Sequence, residues 1–76
     1  MRFSEWKKKS MQKLIYLAST ASNEKERSDL EALINQLTYL RHRDLASFLR
    51  LLWEYCRYHR KYEVCKELVS EDIEPD

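Results

Sequence analysis

Not one of the 76 residues is glycine, and the single proline is the next-to-last residue. Tight hairpin turns of the primed types need positive φ and draw on glycine, and loops that cradle nucleotide phosphates need it outright. Sheets and phosphate loops are therefore disfavoured together. Leu, Glu, Lys, Arg and Ala, all abundant here, are good helix formers, so the chain reads as all-α, a small four-helix arrangement. A chain this short buries only about 60% of the surface its unfolded form exposes and supports roughly 4–11 kcal/mol of net stability. Residues 1–76 are accordingly read as a single helical domain.

Caps and hydrophobic periodicity place the helices. Ser4, with Glu5 in the first turn, suits a helix start, and Met11, Leu14, Ile15 and Ala18 follow at helical spacing, predicting a helix over about 5–20. The polar stretch after it reads as a loop. Asn23 with Glu26 and Ser28 with Glu31 both fit a capping box, the second more strictly. A helix over about 24–41 then carries Leu30, Leu33, Ile34, Leu37 and Leu40 on one stripe. Asp44 is the expected N-cap of a third helix, about 44–58, whose residues Leu45, Phe48, Leu49, Leu51, Leu52, Tyr55 and Cys56 cover about 200° of its circumference. Such breadth marks a central helix packed on more than one neighbour.

Beyond Tyr58 the apolar arc changes direction, which leaves two readings. Either the chain turns near His59, Arg60 and Lys61 and a short helix over about 61–71 folds back, or the third helix continues as one long C-terminal helix in a three-helix chain. The line Phe48, Leu51, Tyr55, Tyr58, Tyr62, Cys65, Val69 alternates spacings of three and four as a long coiled-coil helix would. The turn is preferred, because a small monomer gains more by closing its own core. Residues 55–69 (YCRYHRKYEVCKELV), closed by Pro75, resemble one helical hairpin of a tetratricopeptide-type repeat, with a Tyr after the turn, a small residue three places on and a closing Pro. The resemblance implies a hairpin. Residues 72–76 are expected to form a frayed acidic tail.

The net charge of +1 conceals blocks. Arg2, Lys7, Lys8, Lys9 and Lys13 crowd the first 13 residues against Glu5, Arg50, Arg57, Arg60 and Lys61 oppose Glu54, and residues 63–76 are mainly acidic. Segregated charges give patches that fix register with a complementary partner. No apolar run approaches the ~18 residues of a membrane span, and residues 1–9 hold none fit for a signal peptide. No membrane association and a cytoplasmic location are expected, with the two cysteines as reduced thiols.

Chemistry-bearing clusters are sparse. Cys56, His59, Cys65 and His42 include metal-ligating types, and Cys56 and His59 share a helical face, but the C-x2-H-x5-C spacing fits no structural zinc pattern. No metal or cofactor is expected. The serines fall at loop and cap positions, where they bond the backbone, and no nucleophile has an adjacent base, so neither an enzyme nor a small-molecule substrate is expected. Two binding readings remain. The aromatic and basic side of the last two helices, through Arg50, Trp53, Arg57, Tyr58 and Tyr62, suits a non-catalytic protein-protein interaction module, a small regulator or adaptor that binds a protein partner or pairs with itself as a homodimer. The alternative is nucleic-acid binding by Lys7, Lys8, Lys9, Arg57, Arg60 and Lys61, with Trp6, Trp53 or Tyr58 stacking on bases. Trp53 itself is either an interface anchor or a core-edge residue covered by Arg stems.

Overall fold

The computed structural model describes residues 1–40, 44–70 and 72–74, and among them the chain forms four helices: α1 (Phe3–Thr20), α2 (Glu24–Thr38), α3 (Leu45–His59) and α4 (Tyr62–Leu68). The all-α, four-helix expectation is met. α1 packs along α2, α2 along α3, and α4 folds back on α3. One continuous core joins Phe3, Trp6, Leu14 and Ala18 of α1, Leu30, Leu33 and Leu37 of α2, Phe48, Leu52, Tyr55 and Cys56 of α3, and Cys65 and Leu68 of α4.

α1 starts earlier than its expected cap. Arg2, not Ser4, occupies the N-cap position and offers no side-chain hydrogen bond. Packing substitutes for the cap. Phe3 and Trp6 are buried, and their rings meet Phe48 of α3 edge-on at centroid distances of 5.8 Å and 5.0 Å, a geometry that sets ring edges against ring faces. The buried stripe of α1 therefore runs through Phe3, Trp6, Lys7, Ser10, Leu14 and Ala18, while Ile15, expected inside, is 53% exposed. α2 starts on Asn23, whose Oδ1 accepts from the amides of Lys25 (2.9 Å) and Glu26 (3.3 Å). The Ser28 box lies within the helix. Asp44 caps α3 as expected, accepting from the Ser47 amide at 3.1 Å.

The chain turns between α3 and α4, and the single long helix is not formed. Arg60 takes the left-handed conformation (φ 55°) and the Lys61 amide donates to the Cys56 carbonyl at 2.8 Å. That bond reaches from the second residue past the helix to its last turn, as in a Schellman closure. Glycine normally fills the left-handed position; here an arginine does, at a steric cost of roughly 1–2 kcal/mol. Packing of Cys65 and Leu68 and a disulfide between Cys56 and Cys65, whose Cα atoms are 6.5 Å apart, hold the hairpin. The expectation of reduced thiols is corrected accordingly: the turn brings two core cysteines, nine positions apart, onto facing helices.

The tail also departs from expectation. Residues 72–74 do not fray: Glu74 pairs with Arg2 in a short parallel bridge, its amide donating to the Met1 carbonyl and its carbonyl accepting from the Phe3 amide, both at 2.8 Å. Ile73 packs against the core. The two ends of the described chain thus hold each other where α1 needs a cap. α2 ends at Thr38 and α4 at Leu68, each three residues short of the expected 41 and 71, and Arg41, Glu71, Pro75 and Asp76 lie outside the described residues.

Reducing the disulfide reopens a short loop in the unfolded ensemble and should lower stability by roughly 2–3 kcal/mol, read as a lower urea midpoint with dithiothreitol than without it. Native-state hydrogen exchange should find the amides of Phe3 and Glu74 protected together. Free exchange at Glu74 would return the tail to the frayed state.

Candidate functional site

α3 carries two working faces. Phe48, Leu52, Tyr55 and Cys56 point into the core, whereas Arg50, Trp53, Glu54 and Arg57 recur at the three- and four-residue spacing that lines up one outer face. Tyr62, the first residue of α4, closes against that face because the hairpin turn brings α4 back. The five side chains line an open cleft of about 370 Å³. Trp53 is 37% exposed and Tyr62 46%, so the indole is a surface residue beside the core rather than a member of it.

The cleft is electrostatically open as well. Arg50, Glu54 and Arg57 make no ion pair or side-chain hydrogen bond with the described residues. Elsewhere Lys13 faces Glu67 at 3.7 Å, Lys61 faces Glu26 at 3.5 Å, and the His59 imidazole bonds Asp29 Oδ2 through Nε2 at 2.9 Å.

Four of the five expected partner-binding residues thus come together. The fifth, Tyr58, faces the groove between α2 and α3, with the Lys25 ammonium 5.6 Å from its ring centroid. The alternative nucleic-acid set is scattered. Lys7 is buried and its Nζ donates to the Leu40 carbonyl at 2.9 Å, just past the end of α2. Lys8 is exposed, Lys9 borders a pocket between α1 and α4, Arg60 forms the turn, and Lys61 leans toward α2. Trp6, expected as a stacking ring, is 1% exposed, and its indole N–H donates to the Leu68 carbonyl at 2.6 Å. A buried indole with its polar handle satisfied is a core element. The sulfur atoms of the suggested metal cluster bond to each other, and His42 lies outside the described residues.

The groove between α2 and α3 was not foreseen from sequence. Asp29, Tyr55, Tyr58 and His59 line it together with Lys25, and it has a volume of about 430 Å³. Asp29 and His59 stand 30 positions apart, and no local spacing announces a pair made across helices. The His59 and Asp29 pair ties α3 to α2 across this groove. Tyr55, 7% exposed, points its hydroxyl at Glu26 Oε1 at a long 3.5 Å. Burial first, then the negative charge of Glu26 and the bond to it, push the Tyr55 hydroxyl up to about 12 from the usual 10. All of these keep the phenol protonated.

Comparison with protein families, curated proteins and solved structures finds no match for this chain.

Because the Tyr55 proton is held more tightly in the folded chain, its contribution to stability is fully present below pH 10 and is lost as pH rises from about 10 to about 12. Alkaline unfolding should follow that window, and Tyr55→Phe should flatten it, measured by denaturant midpoints against pH.

Proposed function

We propose that the chain is a non-catalytic helical interaction module, a small regulator or adaptor, that uses the cleft formed by Arg50, Trp53, Arg57 and Tyr62. The carrying observation is an indole outside the core, flanked by two guanidiniums that have no carboxylate partner among the described residues and faced by a tyrosine. Trp, Tyr and Arg are the types that dominate binding energy at interfaces, since each offers wide contact area with few rotatable bonds or a rigid charged fork. The surface is smaller than composition suggested, because Tyr55 belongs to the core and Tyr58 faces another groove.

Nucleic-acid binding draws less support. Phosphate contacts need clustered free cations, whereas Lys7 and Lys61 are engaged internally and Trp6 is buried. Among the described residues no helix is long and apolar enough to cross a membrane. The proposed cytoplasmic location gains nothing from the disulfide, since such bonds persist best in oxidising compartments.

Trp53→Ala should cost on the order of 2 kcal/mol of binding with the circular dichroism spectrum unchanged, whereas Trp6→Ala should cost roughly 3–5 kcal/mol of stability. A pull-down from native extract, treated with nuclease, should recover a partner that Trp53→Ala loses. Recovery that disappears with nuclease alone would transfer the function to nucleic acid.

A further inference from the structure

We infer that the occupant of this cleft is an acidic amphipathic helix of another protein, an inference that rests on the interaction-module reading above. Two features of the cleft select the chemistry. While Lys13 and Lys61 face Glu67 and Glu26, Arg50 and Arg57 lack carboxylate partners among the described residues. Glu54 lies between them on the same face, so it offsets one charge and leaves the cleft positive. A second copy of the chain would bring four guanidiniums against two carboxylates, which disfavours self-pairing through this face. A partner rich in carboxylates meets no such repulsion.

Spacing selects the form. Arg50 and Arg57 are two helical turns apart, about 10.5 Å along the α3 axis at ~1.5 Å per residue. A partner helix laid along the cleft presents carboxylates at i and i+7 with the same separation and an apolar side chain at i+3 or i+4 between them. Same-face residues of an extended strand recur every ~6.7 Å and match that separation poorly. The apolar side chain would rest between the Trp53 indole and the Tyr62 ring. Tyr62 is held in place ahead of binding, because Cys65, one turn further along α4, is tied to Cys56 of α3. Preorganisation of this kind lowers the ordering cost that association must overcome.

The test is a fluorescence titration of the intact, oxidised chain with a panel of synthetic helical peptides carrying Glu at i and i+7 and Leu, Phe or Met between them. Trp6 is buried and Trp53 is half-open, so a blue shift of emission reports closure of the cleft. Members of the panel should bind, affinity should fall as salt rises, and Arg50→Ala and Arg57→Ala should each weaken binding roughly tenfold. Lys in place of both Glu residues, or Ser in place of the apolar residue, should abolish the shift. Equal binding of the Lys peptides, or no binding by any acidic peptide to a chain of unchanged helicity, overturns the acidic-helix assignment. Sedimentation of the chain alone separates the two levels. Self-association abolished by Trp53→Ala, with no peptide bound, would keep the interaction module and reject this occupant. No peptide binding, together with a nuclease-sensitive recovery unaffected by Trp53→Ala, would reject both.

Discussion

Every helix leaves its last carbonyls without partners inside the helix, and a chain without glycine lacks the residue that most often closes that end. In this fold side chains of other helices reinforce three of these ends. Arg27 of α2 donates to the Ala21 carbonyl just past α1 at 2.9 Å, Lys7 of α1 to the Leu40 carbonyl just past α2, and Trp6 of α1 to the Leu68 carbonyl that ends α4. Each helix end also has a closing bond from its own backbone: the Ala21 amide to the Ala18 carbonyl, Leu40 to Leu37, Val69 to Cys65 and, through the left-handed Arg60, Lys61 to Cys56. Each closure supplied from elsewhere is also a tertiary contact. Helix ends and helix packing are consequently satisfied by the same side chains, and loss of either exposes buried polar groups.

That arrangement separates two kinds of basic and aromatic residue. Lys7 and Trp6 serve helix ends and are withdrawn from the surface, whereas Arg50, Arg57 and Trp53 serve no helix end and stay open. α3 lies at the junction of the two roles, with one face in the core and the opposite one forming the cleft. The disulfide and the tight turn keep α4 against it, so Tyr62 is fixed relative to the α3 side chains. A seven-residue helix is too short to be stable alone; its place in the cleft depends on Cys65, Leu68 and the Trp6 bond.

Legibility differed from element to element for physical reasons. α2 was readable because one leucine stripe faces one neighbour, and Leu30, Leu33 and Leu37 are buried as periodicity implied. The Asp44 cap was readable because it is local. α1 was read one face off: Ile15 looks like core by residue type, yet the buried stripe includes Lys7 and Ser10, whose polarity hides it from a hydrophobic pattern. The arginines, indole and tyrosine of the cleft were found because interface-forming types recur on one helical face. Tyr58 falls outside the cleft because it stands five residues, about 140° around α3, from Trp53, which turns it toward α2 and Lys25.

Residue types and their spacing alone determined that the chain is helical, roughly where the helices lie, and which side of α3 has more aromatic and basic surface than a core can use. Both follow from interactions between residues within a few positions of one another, which sequence order preserves. Tertiary structure decided the rest: that Trp6 is core while Trp53 is surface, that Cys56 meets Cys65, that Asp29 holds His59, and that the tail pairs with the start of α1. These depend on how helix axes cross and where a chain turns, so residues of identical type and similar local surroundings end in opposite environments.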